Sequence, residues 1–168
     1  MKKFNWEIAD KVAHAVMEKA EEDVGKQNLL PTLQSNADVC VCVCGVNFQP
    51  KVTLGSENAM SVSNDPLCED KAYTVLKTGM PTIHWDMKAV NMSNFGEQRF
   101  TGFAGAVPIK TARGKLIGAI AVSGRLSYLK KDKMSKDEFA SAFPQDHELA
   151  EYGLKIFKQL VSEKSQPK

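Results

Sequence analysis

The sequence predicts an α+β fold, a single domain in which helices pack on a largely antiparallel sheet of four to five strands. Three observations predict this class. The chain has 168 residues, which is enough for one hydrophobic core. Its predicted elements follow the order α-β-β-α-α-β-β-α. The two hairpins in this order cannot be joined by short parallel crossovers, so we expect an antiparallel sheet like that of profilin-like or sensor domains.

A helical spacing of apolar residues defines the first element. Asn5 is a suitable N-terminal cap, and Ile8, Val12 and Val16 recur every four residues along one face. Gly25 is a plausible end of this helix.

The first hairpin follows a polar connector. Residues 37–43 are short and rich in Val and Cys, which is typical of a strand, and Gly45 and Asn47 supply the turn. We expect residues 51–54 to be the partner strand. The polar residues 55–65 are predicted to form a loop.

The middle of the chain is predicted to be helical. The pair Asp65-Pro66 is a typical helix start, because Asp accepts from free amides and Pro loses no hydrogen bond at the first position. Gly79 and Pro81 end this helix. A short helix is predicted over residues 83–90.

The second hairpin and a last helix complete the domain. Strands are predicted over residues 103–110 and 115–123, with Gly114 at the turn between them. The second strand is apolar on both faces and should be central in the sheet. Pro144 is predicted to open the last helix. The domain spans residues 1–168, with a core at about 6–160 and a charged insertion over 126–143.

Composition excludes several classes of function. The chain is 43% hydrophobic and 25% charged, with a net charge of +2 and no basic stripe, so nucleic acid is not an expected partner. No apolar run approaches the ~20 residues that span a bilayer, and the N-terminus lacks the apolar core of a signal peptide. We therefore expect a cytoplasmic protein whose cysteines are thiols.

Three cysteines alternate with valines in the first strand. Cys40, Cys42 and Cys44 lie on one side of a strand, where side chains two residues apart are parallel. This geometry suits neither a disulfide nor tetrahedral zinc. We predict that they pack beneath a helix as small apolar residues, the alternative being thiol chemistry or a soft metal.

No arrangement of residues in the sequence defines a catalytic site by itself. The histidines are His14, at the edge of the apolar stripe of the first helix, His84 and His147, and no zinc-binding spacing joins them. Ser123 lacks the glycine two residues earlier that a nucleophile elbow requires, since Ala121 stands there. The sequence therefore favours a non-enzymatic role.

Three blocks together resemble the GlcG/HbpS-like family, the haem-binding domain related to the C-terminal domain of PduO-type corrinoid adenosyltransferases. They read CEDKAYTVLKTGMPT (68–82), GFAGAVPIKTARGKLIGAIAVSG (102–124) and QDHELAEYGL (145–154). The second block is the most specific. With the first helix included, the resemblance covers roughly residues 6–160.

The resemblance implies a small oligomeric domain that binds haem or a related tetrapyrrole. It makes His14, on the first helix, the candidate axial ligand of the haem iron, and Thr82 a second candidate at the ligand site. Small residues such as Gly105 would let a flat ligand approach the backbone, although tight hairpin packing explains them equally well. Basic side chains are the candidate partners of the propionates: Lys71, Arg99 and Arg125.

Two further classes of function stay open. In one, the protein is an enzyme of hydroxy acid, aldehyde or diol catabolism. The other is a sensor or scaffold without a ligand. The enzyme would use a pocket formed by Lys71, Tyr73, Ser123, Asp146 and His147, with Lys71 as the base.

Overall fold

The computed structural model describes residues 4–26, 39–56, 61–86, 96, 98–124 and 146–162, and within these ranges the side chains of 23–26 and 61–64 are left aside. The predicted insertion over 126–143 and the predicted helix start at Pro144 lie outside these residues. Within them the chain forms four helices and four strands. In chain order they are α1 (Trp6–Lys26), β1 (Cys40–Gly45), β2 (Lys51–Gly55), α2 (Ser61–Thr78), α3 (Ile83–Asp86), β3 (Ala106–Lys110), β4 (Leu116–Ser123) and α4 (Asp146–Ser162).

The strands form one antiparallel sheet in the order β2-β1-β4-β3. The central strands β1 and β4 pair with Cys42 opposite Ala121 and Val43 opposite Ile120. This arrangement confirms the α+β prediction and the central position of the second apolar strand. Both central strands are apolar on both faces because helices cover the sheet on each side.

Each face of the sheet has its own core. Valines and isoleucines of the strands pack with α1 and α4 on one face, which includes Val41, Val43, Ile120 and Val122. Cysteines and alanines pack with α2 on the other face, which includes Cys40, Cys42, Cys44, Ala119 and Ala121. The alternation follows from the two-residue period of a strand. It confirms that the three strand cysteines pack together beneath a helix.

The first helix begins where the sequence predicts. The Oδ1 atom of Asn5 accepts a hydrogen bond from the amide of Ile8 at 3.1 Å, which is an N-terminal cap. The helix ends at Lys26, one residue beyond the predicted end at Gly25.

The prediction that Asp65-Pro66 starts the second helix is wrong. Helix α2 begins at Ser61 and contains Pro66. Proline near the start of a helix keeps a helical φ and removes a single backbone donor, so the helix can begin earlier in the chain. Its end agrees with the prediction: Gly79 has φ of 68°, and its amide donates to the carbonyl of Val75 at 2.8 Å.

The second hairpin turns at the predicted glycine. Gly114 has φ of 78°, and its amide donates to the carbonyl of Thr111 at 2.8 Å. Strand β3 begins at Ala106, three residues later than the predicted start at Phe103. One reason is that the amide of Ala104 donates to the Asp86 carboxylate of α3 at 3.2 Å instead of to a strand.

Candidate functional site

A buried ion pair joins the two helical layers. The Nζ atom of Lys71, on α2, lies 2.8 Å from Oδ2 of Asp146, the first residue of α4. The same ammonium donates to the carbonyl of Val122 at 2.9 Å. The side chains of Lys71 and Asp146 are 0% and 1% exposed. A buried charge needs a partner and further hydrogen bonds, and this arrangement supplies both.

Gly105 brings the backbone against this ion pair. Its φ is 132°, and its carbonyl accepts a hydrogen bond from the amide of Val122 at 2.7 Å. A Cβ atom at this position would lie 2.5 Å from the Val122 carbonyl oxygen and 2.8 Å from Nζ of Lys71. The close approach that this glycine permits is therefore to atoms of the chain itself, which is the tight packing that the sequence left as an alternative.

Thr82 is buried beside the start of β3, which Gly105 directly precedes. Its hydroxyl accepts from the amide of Ala106 at 2.9 Å, and its own amide donates to the Ala106 carbonyl at 3.0 Å. This pair of bonds ties the residue before α3 to the first residue of β3. Thr82, Gly105 and Lys71 thus lie in one region, and all three are buried.

The residues of the predicted enzyme pocket do not form an open pocket. Lys71 and Asp146 contact each other in the interior, and Ser123 is buried at 1% exposure. Tyr73 lies elsewhere, stacked with Phe48 at a ring-centroid distance of 6.2 Å. His147 is partly buried, and burial lowers the pKa of its imidazole. Within the part of the chain that the structure describes, the Lys71 side chain is closed off from solvent, so a substrate cannot reach it.

Arg99 lies in an aromatic cluster on the outer side of α2. Its guanidinium is 4.6 Å from the ring centroid of Tyr73 and 5.2 Å from that of Phe48. Its Nε donates to Asp70 at 2.8 Å. Arg99 is therefore not brought together with Lys71. The other predicted propionate partner, Arg125, lies outside the described residues.

His14 lies on the solvent side of α1, not at the edge of the apolar stripe where the sequence predicted it. Its side chain is 58% exposed. Its Nδ1 atom is 3.1 Å from the carbonyl oxygen of Asp10. A carbonyl only accepts, so in the neutral imidazole this contact favours the tautomer with the proton on Nδ1 and the lone pair on Nε2. The structure does not bring His14 together with Lys71, because the two side chains belong to different helical layers.

The four cysteines form a thiol layer beneath α2. Cys68 of that helix donates to the carbonyls of Cys40 and Ala121, each at 3.3 Å. Burial raises the pKa of Cys40 to about 12 and that of Cys68 well above its ordinary value. No cluster of metal-binding side chains occurs among the described residues. Cys40 and Cys68 thus stay protonated within the core.

An open groove lies at the far end of the α1/α4 layer. It has a volume of about 860 Å³. Its walls come from Phe4 just before α1, the two hairpins and the second half of α4. Apolar residues form most of the lining, and its charged residues are all lysines: Lys110, Lys115 and Lys158.

The sequence analysis missed the groove residues. The signals for them were weak: a basic turn around Gly114, and apolar positions of the last helix that continue to Val161. Each belongs to a different segment, and only the folded chain brings them together.

In the described part of the chain, no helix is long and apolar enough to cross a bilayer.

Comparison with known proteins identifies related sequences and folds. The chain matches the family model described as haem degrading protein HbpS-like over residues 4–133. No curated protein matches it.

Three solved structures share the fold. A PduOC–haem complex is 16% identical with a TM-score of 0.64, over 92% of this chain and 95% of that one. A double mutant of HbpS from Streptomyces reticuli is 23% identical with a TM-score of 0.64, over 93% and 88%. Protein ORFY from Klebsiella pneumoniae is 22% identical with a TM-score of 0.62, over 94% and 97%.

Proposed function

Because this chain belongs to the HbpS-like family, we propose that it is a haem-binding accessory protein. The observation that carries the proposal is the family match over residues 4–133. The fold shared with a PduOC–haem complex supports it. Haem is a large apolar disc with two carboxylates, so its site needs an axial donor and an apolar surface.

His14 is the candidate axial donor. Its Nδ1–H is held by the Asp10 carbonyl at 3.1 Å, and this leaves Nε2 free to bind a metal. Histidines that bind metals typically donate their other ring N–H to such an acceptor, which fixes the orientation of the ring. The chemistry of this side chain therefore fits haem. When bound, the haem iron would supply one-electron and oxygen chemistry.

The surroundings of His14 supply one side of a haem site. Trp6 opens the same helix and is 60% exposed, which is unusual for a large apolar side chain. Nearby charges are largely paired within the helix, as in the Glu7–Lys11 pair at 2.8 Å. We propose that a second copy of the chain covers the other side of the porphyrin, so that haem binds to a homo-oligomer.

Titration with haemin tests the proposal. The wild-type chain should give a saturable Soret band, and His14→Ala should shift or abolish it because the axial nitrogen is lost. His84→Ala is the matched control, since His84 lies on α3 with its ring packed against Trp85 at 4.8 Å. Sedimentation of the same samples with and without haemin measures the oligomeric state.

Two outcomes would contradict these assignments. A wild-type chain without a saturable Soret band would exclude haem binding, and a normal spectrum in His14→Ala would exclude His14 as the donor. The matched family is described as haem degrading, and degradation of haem can be followed in the same samples. A Soret band that decays with ascorbate in air would indicate turnover, whereas a stable band would indicate binding alone.

A further inference from the structure

We propose that the groove at the end of the α1/α4 layer binds an alkyl carboxylate, that is, a fatty-acid-like anion with an unbranched chain. This site is separate from the proposed haem site. His14 does not line the groove, whose walls come from Phe4 before α1, both hairpins and α4. The proposal depends on the groove's apolar floor, its cationic rim and the absence of metal ligands in its lining.

The floor of the groove is a preformed apolar surface. The ring of Phe4 packs edge-on against Phe157, with centroids 5.5 Å apart and planes at 88°. Gly118 makes room for Phe4, because a Cβ atom there would lie 2.7 Å from the ring. Leu116 and Leu154 extend the apolar wall. Such a surface stabilises an alkyl chain by removing it from water.

The rim of the groove is cationic. Lys110 and Lys115 lie on either side of the hairpin turn, and Lys158 lies on α4; all three side chains are exposed. No acidic residue lines the groove, and no ion pair joins these lysines to an acid among the residues that the structure describes. The groove therefore complements a ligand with an apolar body and an anionic end.

The lining favours an alkyl carboxylate over haem. The fourteen lining residues include no histidine, cysteine, methionine or tyrosine, so none of the usual axial ligands of haem iron faces the groove. The walls are mainly aliphatic, with Pro108, Ile117 and Val161 beside the two leucines. A volume of about 860 Å³ lies within the range of about 300–1,000 Å³ typical of small-molecule sites.

Displacement of a fluorescent fatty acid tests the proposal on the full chain. Bound cis-parinaric acid should be displaced by octanoate, decanoate and dodecanoate, with affinity rising by about fourfold for each added methylene that is buried. Decanol should compete less well than decanoate because it lacks the carboxylate. Raising the salt concentration should reduce this difference, since exposed charges are screened.

Two replacements of opposite charge at one position separate the effect of charge on binding from an effect on folding. Ala112 is exposed in the hairpin turn and lines the groove, so both replacements should fold. Ala112→Glu should weaken dodecanoate binding by about fivefold, because it sets a like charge near the carboxylate. Ala112→Lys, of similar size and opposite charge, should bind as tightly as the wild type or more tightly.

The outcomes are decisive in either direction. Equal affinities of Ala112→Glu and Ala112→Lys, or of decanol and decanoate, would overturn the proposal. It would also be overturned if the probe does not bind and sedimentation shows a dimer that Ala112→Glu dissociates, because the groove would then hold a second copy. A failure of haemin to bind the wild type would leave this result unaffected, so the two proposals can fail independently.

Discussion

His147 is the residue whose environment links the fold to acid pH. Its Nδ1 atom is buried without a hydrogen-bond partner among the described residues, and its side chain is 19% exposed. Burial lowers its pKa from 6.5, although Glu151 and Glu148 oppose this shift. The folded protein therefore holds the imidazole neutral at a pH at which the unfolded chain protonates it.

Acid should accordingly destabilise the protein through His147. Its contribution to stability is fully present above pH 6.5 and is lost as the pH falls through the lower pKa of the folded state. The free energy of unfolding in urea, measured at neutral pH and at a pH of about 5, should fall less in His147→Gln than in the wild type.

If His147→Gln and the wild type lose the same stability on acidification, His147 does not carry this effect.

At the scale of elements, glycines of the second hairpin differ in what surrounds them. Gly105 and Gly114 both have positive φ, at 132° and 78°. A Cβ atom at Gly105 would collide with the Val122 carbonyl and with Asp146, whereas nothing lies within 4 Å of one at Gly114. Comparing substitutions at these two glycines separates the free-energy cost of the backbone conformation from that of the collision.

Gly105→Ala should therefore be much more destabilising than Gly114→Ala. The strained φ costs about 1–3 kcal/mol at either position, and overpacking adds about 1–3 kcal/mol at Gly105 alone. Thermal or urea unfolding of the two variants measures the difference. Equal losses of stability would show that the contacts around Gly105 can relax without cost.

The elements were largely predictable from local patterns. The turn at Gly114, the cap at Asn5 and the end of α2 at Gly79 are each determined by neighbouring residues. The start of α2 was not, because Pro66 marks a helix start only where the preceding residues are not helical, and here the helix begins at Ser61.

The candidate sites were less predictable because they depend on distant segments. Lys71 and Asp146 were both named from the sequence, but 75 residues separate them, and nothing local indicates that they pair with each other in the interior. The exposure of His14 likewise depends on which side of α1 faces α4 and the sheet. The groove was missed because none of its four segments is distinctive alone.

At the scale of the whole molecule, the Lys71–Asp146 pair connects the layers on the two faces of the sheet. Lys71 belongs to α2, which packs on the sheet face that carries the cysteines. Asp146 begins α4, which packs on the face that carries the valines. Removing one member of a buried pair leaves an uncompensated charge, which costs more than the pair itself contributes. Both layers should therefore depend on it.

Lys71→Met should reduce the free energy of unfolding by about 3–5 kcal/mol, because Asp146 is left charged and buried. The double variant Lys71→Met/Asp146→Leu should recover much of this loss, since neither charge remains. Urea unfolding measured on the wild type, both single variants and the double variant completes the cycle. Additive losses in the double variant would contradict a direct interaction between the two side chains.

The thiol layer allows motion of α2 to be measured by labelling the protein's own cysteines. All four cysteines lie between the sheet and α2 and are fully buried. A thiol reagent can reach them only when that helix separates from the sheet or the whole chain unfolds. Comparing the rate of thiol labelling with the rate of global unfolding would therefore reveal whether α2 detaches as a unit, without any label having to be introduced.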